Sequence, residues 1–320
     1  MTVAARNARI ASRDSLPTGI RLRCPRCGTD IPMLDCPACG FALAIDDGIM
    51  RALPPESLAH YARFINDYER IRDLEGRGSE SEAFYLALPY RDTSERNRGQ
   101  WRIRARSFDY LVRHLLGGIR RDAGGRILDL GAGNGWMSYR LALAGYRPCA
   151  VDLLTNDRDG LGAARHYRTR LPPLFPRFQA DAGRLPFADG QFDAAVFNAS
   201  FHYAEDAVAN LREALRCLRT GGLAIISDTP WYAREESGRR MLAERDAAFL
   251  RRYGTACDAI ASLGFLSDPQ LRRMEDVLSI QWQVCRPWYG LRWAMRPLVA
   301  TLRGQREPSR FRLYVARKTA

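Results

Sequence analysis

Three glycines at alternate positions, Gly131, Gly133 and Gly135, lie in the stretch ILDLGAGNGWMSYRLALAGYRPCAVD, residues 127–152. Glycine allows a loop to turn tightly and lets backbone N–H groups approach a ligand closely. A glycine loop that joins a strand to a helix is typical of nucleotide-like ligands. The stretch ends in Asp152, whose carboxylate could accept hydrogen bonds from both hydroxyls of a ribose.

The neighbours of these glycines argue against a phosphate ligand. A triphosphate loop needs Gly-Lys-Ser/Thr after four spacer residues, and that pattern is absent from the sequence. A dinucleotide fingerprint needs a small residue three positions after Gly133, where the bulky Trp136 stands. Asp129 at the loop entrance would repel a pyrophosphate but favour the ammonium group of an amino acid. The pattern therefore favours a ligand without phosphate.

A second reactive group is the cysteine quartet CPRCGTDIPMLDCPACG near the N-terminus. Two Cys-x-x-Cys pairs offer four thiolates suited to a tetrahedral zinc ion, with a pair of redox-active dithiols as the alternative. We expect a structural Zn2+, because four thiolates leave no open position for catalysis. A segment this small has no adequate core, so the metal would supply its folding free energy, on the order of 10–16 kcal/mol. The expected ligands are Cys24, Cys27, Cys36 and Cys39.

The residues around the glycine loop predict the elements that position it. RILDL reads as a buried strand, WMSYRLALAG as a helix that ends at Gly145, and YRPCAVD as a second strand. Further strands are expected at RFQAD, within LPFADGQFDAAVFN and at LAIIS, with an amphipathic helix in AEDAVANLREALRCLRTGG. Alternating strands and helices predict a parallel sheet covered on both faces. The acids and glycines fall at the carboxyl ends of strands, where open α/β sheets bind ligands.

Taken in order, these stretches resemble class I S-adenosylmethionine-dependent methyltransferases of the type 11 kind, over about residues 126–230. The resemblance implies an α/β fold with a Rossmann-like, doubly wound, seven-stranded sheet and S-adenosyl-L-methionine as cofactor. Asp152 would then hold the ribose hydroxyls, while Asp181 and Ala182 would read the adenine edge. The residues that would line the methionine and ribose portion are Asp129, Gly131, Gly133 and Gly135.

Acceptor-side groups are expected just after the fourth and fifth strands of this sheet. By the resemblance, Asn198 lies at the tip of the fourth strand beside the methionyl end. His202 could act as a general base near neutral pH, or it could pack near the cofactor without chemistry. The Asn-Pro-Pro-Tyr motif of adenine amino-group methylation is absent, since the sequence reads Asn-Ala-Ser-Phe. Further acceptor-side candidates are Tyr203, Asp228, Trp231 and Tyr232.

The chain divides into four predicted segments. A disordered lead-in at 1–20 precedes a small zinc ribbon at 21–55, which a hairpin around DDG is expected to close. A helical linker or cap follows at 56–120, and the methyltransferase domain occupies 121–320. This domain contains a basic, aromatic insert at about 286–309. The insert fits an interfacial helix, a nucleic-acid surface, a lid over an apolar acceptor or a core-packed helix.

The composition narrows the partners and the location. A formal net charge of +13 favours contact with phosphates, anionic lipid or an acidic partner, although a merely basic background is an alternative. No apolar run approaches the ~20 residues of a membrane-spanning helix, and the N-terminus lacks the apolar segment of a secretory signal. We therefore expect a cytoplasmic protein without a transmembrane segment, with contact at a membrane surface left open.

Three functions fit these features. The favoured one is methyl transfer to a small-molecule or lipid-like acceptor. The alternative is a methyltransferase for RNA, acting on a ribosomal RNA base, because the ribbon resembles that of zinc-containing ribosomal RNA guanine methyltransferases. In that family the last zinc ligand is commonly histidine, whereas Cys39 stands here; the ribbon also resembles zinc-binding methyltransferase activators. A non-catalytic cofactor-binding scaffold is less favoured, since the cofactor glycines and acids are complete.

Overall fold

The computed structural model describes residues 19–119 and 124–319, so the predicted lead-in at 1–20 lies almost wholly outside the described residues. The strands are β1 (Leu22–Arg23), β2 (Asp30–Ile31), β3 (Ala44–Asp46), β4 (Ile49–Arg51), β5 (Arg126–Leu130), β6 (Arg147–Asp152), β7 (Arg177–Gln179), β8 (Phe192–Asn198), β9 (Leu218–Ser227), β10 (Gln283–Cys285) and β11 (Leu313–Arg317). The α-helices are α1 (Pro55–Leu74), α2 (Glu82–Ala87), α3 (Arg98–Tyr110), α4 (Trp136–Leu143), α5 (Ala207–Cys217), α6 (Glu235–Tyr253), α7 (Asp268–Leu278), α8 (Leu291–Ala294) and α9 (Arg296–Leu302). Short 3-10 helices occur at Leu161–Tyr167 and Phe201–Tyr203, and a π-helical turn at Leu111–Leu115 continues α3.

One mixed sheet organises the described part of the chain, in the strand order β10-β11-β9-β8-β5-β6-β7-β4-β3. The strands from β9 to β7 are mutually parallel, while β11 is antiparallel to β9 and β10 is antiparallel to β11. The seven strands from β10 to β7 confirm the predicted Rossmann-like α/β sheet, which β11 and β10 complete as antiparallel strands.

Both faces of the central strands are buried because helices cover each side. Alternate residues of β5 enter different cores, as the two-residue period of a strand requires. Ile127 packs in the same cluster as Trp101 of α3 and Met137 of α4. Leu128 packs in the opposite cluster with Leu211 of α5. This double covering explains why the strand reads as a continuous apolar run.

The hairpin β3–β4 differs from its predicted role. We expected it to close the zinc ribbon, but β4 pairs in parallel with β7, with Met50 opposite Phe178. The Arg177 guanidinium donates to the Asp47 carbonyl oxygen at 3.0 Å and stabilises the hairpin turn at the sheet. The hairpin therefore extends the large sheet by two strands, while β1 and β2 form a separate two-stranded sheet next to the cysteines.

The segment between the hairpin and β5 consists of helices joined by loops, as expected for the predicted helical linker or cap at 56–120. Its first helix, α1, runs for 20 residues, from Pro55 to Leu74. In the connection between α1 and α2, Arg77 is only 6% exposed. Arg77 is buried because its guanidinium donates to Glu75 and to Gln100 of α3. The helices of this segment therefore pack onto the domain.

Candidate functional site

A cavity of about 320 Å³ lies at the carboxyl ends of β5, β6, β7 and β8. This is the edge at which open parallel sheets bind ligands. Six of the predicted cofactor residues line it: Gly131, Gly133, Asp152, Asp181, Ala182 and Asn198. The carboxyl ends of these strands therefore bring residues that are distant in the sequence to one cavity.

The glycine loop has the backbone conformation that its residue types require. Gly131, Gly133 and Gly135 have φ values of 74°, 54° and 75°, in the left-handed region that disfavours side chains. Space is restricted as well, since a Cβ at Gly131 would overlap the Cβ of Ser200. A Cβ at Gly133 would be 3.3 Å from the Asp159 carbonyl oxygen. Of the three loop glycines, Gly131 therefore has the least space for a side chain.

Asp152, at the end of β6, is held by the loop that it faces. Its Oδ2 accepts a hydrogen bond from the Gly133 N–H at 2.7 Å, and its Oδ1 accepts one from the Leu154 N–H at 2.8 Å. Burial raises the pKa of Asp152 to about 6, although these two N–H donors oppose the shift. A carboxylate has about four acceptor positions, so two remain for hydroxyl groups of a ligand.

The next two strands contribute polar groups to the same cavity. Asp181 follows β7, and its Oδ1 accepts a hydrogen bond from the Gly183 N–H at 2.8 Å. Asn198 ends β8 beside Ser227 of β9, and the following Ala199 has φ of 56°. The backbone thus turns sharply just beyond Asn198, where the cavity begins.

Asp129 and Gly135 were predicted to line the methionine portion but lie outside the cavity lining. Asp129 is 1% exposed, and its Oδ2 accepts a hydrogen bond from the Ser138 hydroxyl at 2.8 Å. Burial raises the pKa of Asp129 to about 7. Gly135 precedes α4, where a Cβ would be 3.0 Å from Phe175 Cζ. Both residues therefore pack against the protein interior and stabilise the loop without lining the cavity.

His202 also lies outside the cavity lining, whereas its neighbour Tyr203 belongs to it. The imidazole is half-buried against the Tyr203 ring, and its Nδ1 is excluded from solvent with no hydrogen-bond partner in the described residues. Burial, with Arg245 and Arg104 nearby, lowers the pKa of His202 to about 3. A group this reluctant to accept a proton is a weak base near neutral pH. The geometry gives the general-base hypothesis no support.

The other acceptor-side candidates after β9 are part of the packed structure. Asp228 is 5% exposed and accepts a hydrogen bond from the Ser107 hydroxyl, which also lies 2.8 Å from the Tyr289 hydroxyl. The Trp231 Nε1–H donates to Asp268, and Tyr232 is 1% exposed. None of the three candidates lines the cavity.

Aromatic side chains of α1 and α3 form a wall of the cavity that sequence reasoning missed. Tyr61, Phe64 and Tyr68 of α1 and Trp101 of α3 all line it. The α1 residues are spaced three and four positions apart, as on one face of a helix. This spacing is the signal that could have revealed them.

A buried ion pair joins this wall to the domain. Arg72 Nε, the next position on the same face of α1, lies 2.5 Å from Asp159 Oδ2. Both side chains are largely excluded from solvent. Because each charge is costly to bury alone, the pair holds the end of α1 against the loop after β6.

Arg104 of α3 adds a positive charge to the cavity lining. Its guanidinium lies over the Trp101 ring, 4.7 Å from the ring centroid, and forms no ion pair within the described residues. Burial lowers the pKa of Arg104 to about 10, with Asp228 opposing the shift. An enclosed guanidinium without a carboxylate partner favours an anionic group on a ligand.

The four N-terminal cysteines converge on one point. Their sulfur atoms all lie within 4.8 Å of one another, with Cys24 and Cys39 3.6 Å apart and Cys27 and Cys36 3.5 Å apart. A tetrahedral zinc site with Zn–S bonds of about 2.3 Å has sulfur–sulfur edges of about 3.8 Å. The donor set and its spacing therefore fit a four-thiolate metal ion.

Both cysteine pairs are built on the same turn. The Gly28 N–H donates to the Cys24 carbonyl, and the Gly40 N–H donates to the Cys36 carbonyl, each at 2.9 Å. The two glycines have φ of 79° and 69°, so the turn needs a residue without a side chain. This repetition indicates two matching metal-binding knuckles.

Comparison with known proteins bears out the class of the central domain. Residues 128–226 match the family model described as a methyltransferase domain. This stretch is therefore similar to a methyltransferase domain, and the sheet that contains it has a Rossmann-like strand order. The match covers less than half of the chain. Its bounds leave out both the N-terminal cysteines and the C-terminal insert.

Particular relatives are similar over parts of their length. Demethylmenaquinone methyltransferase of Beutenbergia cavernae is 37% identical over 123 residues, 37% of this chain and 48% of that protein. The 27-O-demethylrifamycin SV methyltransferase of Amycolatopsis mediterranei is 29% identical over 153 residues, 48% of this chain and 54% of that protein. The chain thus spans about half the length of these curated relatives.

A solved structure shares the fold over a longer stretch. A geranyl diphosphate methyltransferase, determined with GPP and sinefungin, is 17% identical and has a TM-score of 0.51. The alignment covers 76% of this chain and 87% of that chain. At this identity the likeness shows the fold alone.

Among the described residues, no helix has the length and apolar character needed to cross a membrane.

Proposed function

We propose that the protein is an S-adenosylmethionine-dependent methyltransferase that acts on a small, apolar or lipid-like acceptor. The observation that carries this proposal is the convergence of Gly131, Gly133, Asp152 and Asp181 on one cavity at the carboxyl edge of the sheet. When bound, the cofactor supplies an electrophilic methyl group on a sulfonium. The protein would hold the reactants in line and exclude water.

The proposed cofactor contacts follow the strand order. Asp152 accepts hydrogen bonds from the ribose hydroxyls with the acceptor positions that Gly133 and Leu154 leave free. Asp181 and Ala182 contact the adenine edge. The loop backbone at Gly131, together with Asn198, contacts the methionyl end. Asp129 and Gly135 act indirectly, by holding the loop and the start of α4.

An apolar acceptor is supported by the aromatic wall. Tyr61, Phe64 and Tyr68 present rings to the cavity, and such surfaces favour apolar or planar ligands. The curated relatives are named for demethylmenaquinone and demethylrifamycin, both small molecules. Arg104 would bind an anionic group, which is either the carboxylate of the cofactor or an acidic group on the acceptor.

Methylation of a ribosomal RNA base is the second candidate. It is favoured by the four-cysteine cluster, which resembles the ribbon of zinc-containing RNA methyltransferases, and by the net charge of +13. A non-catalytic scaffold would bind cofactor but transfer no methyl group.

We further propose that the four-cysteine cluster holds one structural zinc ion and that the protein acts in the cytoplasm.

Calorimetric titration with S-adenosylmethionine tests the cofactor site. Asp152→Ala should weaken binding about 100-fold or more, because two charge-assisted hydrogen bonds are lost. Asp276→Ala is the matched control, since Asp276 is an exposed aspartate of α7. Unchanged affinity in Asp152→Ala would show that the cofactor binds elsewhere.

Transfer of a labelled methyl group from the cofactor identifies the acceptor class. The protein is incubated in parallel with a lipid and small-molecule extract and with total RNA from the source cell. We expect label in the extract. Label in RNA would support the second candidate, and label in neither fraction, with cofactor bound, would support the scaffold.

A further inference from the structure

The insert between β10 and β11 carries an exposed apolar surface. Large apolar side chains of α8, of α9 and of the turn before them are exposed to solvent. Leu291 and Leu302, for example, are 70% and 78% exposed. Monomeric proteins rarely leave so many neighbouring apolar side chains in water without a binding function. We name these residues the insert patch: Trp288, Leu291, Met295, Leu298, Val299 and Leu302.

Positive charge surrounds the insert patch. A groove of about 1020 Å³ runs between α6 and the insert, and Arg240, Arg292 and Arg303 line it. These three arginines form no ion pair within the described residues, whereas Arg306 in the same groove is 2.6 Å from Glu244. Three members of the insert patch, Leu291, Met295 and Val299, line the same groove as these guanidinium groups.

The insert that carries the patch is packed against the rest of the domain through side chains outside the patch. Trp293 stacks on Phe311 at a centroid distance of 5.4 Å, and the Arg296 guanidinium carbon lies 3.9 Å from the centroid of the Trp293 ring. The Tyr289 hydroxyl lies 2.8 Å from the Ser107 hydroxyl of α3. Since α3 also contributes Trp101 and Arg104 to the cavity, the insert patch is mechanically connected to the cavity wall.

The chemistry of this surface fits an anionic membrane better than a nucleic acid. Leucine, methionine and valine side chains gain free energy by entering the acyl boundary of a bilayer, and arginines are attracted to its phosphate groups. Binding to single-stranded RNA relies instead on aromatic stacking, and Trp288 is the one aromatic member of the patch. We propose that the insert patch docks the protein on the surface of a membrane that contains anionic phospholipid. This proposal goes beyond the proposed function and does not depend on it.

Co-sedimentation of the full chain with vesicles tests the docking. Phosphatidylcholine vesicles are compared with vesicles that also contain phosphatidylglycerol. We expect much stronger binding to the anionic vesicles and a loss of binding with added salt, as for arginines near a charged surface. Arg292→Ala with Arg303→Ala should weaken binding about 25-fold, at about fivefold for each arginine.

Aliphatic variants test the apolar half of the proposal. Leu298→Asp with Leu302→Asp should weaken vesicle binding at least about tenfold, because these side chains would no longer enter the bilayer. Matched controls are Leu143→Asp, at an exposed leucine of α4, and Arg273→Ala, at an exposed arginine of α7. The controls should bind as the wild type does, and all variants should keep the wild-type affinity for S-adenosylmethionine.

A second measurement does not require the leucine variants to fold. Vesicles with brominated acyl chains should quench part of the tryptophan fluorescence of the wild type, and Trp288→Phe should lose that part. Equal binding to neutral and anionic vesicles, or unchanged binding in the patch variants, would overturn the proposal. The proposal would also be overturned if the patch bound RNA and not vesicles. It would likewise be overturned if the patch formed dimers of the protein that do not bind vesicles.

Discussion

The tight approach of Gly131 to Ser200 allows a sharp prediction for Gly131→Ala. The new Cβ would sit at φ of 74°, which costs about 1–2 kcal/mol for a residue with a side chain. It would also overlap Ser200, whose hydroxyl donates to the Leu130 carbonyl at 2.5 Å. Displacing Ser200 sacrifices that hydrogen bond and crowds the loop, for about 1–3 kcal/mol more. We expect the free energy of unfolding to fall by about 3 kcal/mol.

Gly133→Ala is the matched control for this substitution. Its φ of 54° brings a similar backbone cost, but the nearest atom to the new Cβ is the Asp159 carbonyl oxygen at 3.3 Å. We expect a loss of about 1–2 kcal/mol. The difference between the two alanine variants isolates the contact with Ser200.

A double-mutant cycle completes the test. Urea unfolding is measured for Gly131→Ala, Ser200→Gly and the double variant, because Ser200→Gly removes the Cβ that Gly131→Ala would strike. The double variant should be more stable than the sum of the single effects by about 1–3 kcal/mol. Additive effects, or equal losses for Gly131→Ala and Gly133→Ala, would refute this account of the loop.

Three other perturbations probe the charged groups and the metal site. Since burial raises the pKa of Asp152 to about 6, protonation below that pH should remove hydrogen-bond acceptors. Calorimetric affinity for S-adenosylmethionine should then be flat above pH 6 and fall about tenfold per pH unit well below it, while Asp152→Asn should show no such step. Asp159→Asn should lower the free energy of unfolding by about 3 kcal/mol, because Arg72 would be left buried without its partner, and Arg72→Met with Asp159→Leu should cost less; equal losses would contradict the ion-pair argument. Elemental analysis should find about one zinc per wild-type chain and much less in Cys36→Ser, whose unfolding midpoint should also fall; a metal-free wild type would contradict the proposed site.

The placement of the cavity residues was predictable because it depends on short local patterns. The short strand patterns CAVD and RFQAD end in Asp152 and Asp181, which indicates the carboxyl ends of two parallel strands, and such ends meet at one edge of a sheet. The walls of the cavity depend instead on packing between distant segments. Arg72 and Asp159 lie 87 positions apart, and neither neighbourhood contains a signal for the other.

Burial explains two further differences between prediction and structure. Asp129 and His202 have residue types that suit chemistry, but a sequence does not reveal how far a side chain is excluded from solvent. Asp129 faces the Ser138 hydroxyl, and His202 Nδ1 is buried without a partner among the described residues. Residue type predicted the chemistry that these groups could perform, whereas packing determined where they lie.

The pairing of β4 with β7 has a consequence for the behaviour of the protein in solution. Without the hairpin, β7 would be an outer strand with free N–H and C=O groups, which invite pairing with another chain. The hairpin replaces it with β3, a strand of three residues that ends in the charged Asp46. We therefore expect the hairpin to protect the sheet from self-association, and a chain that lacks the residues before α1 should aggregate even where its cavity is intact.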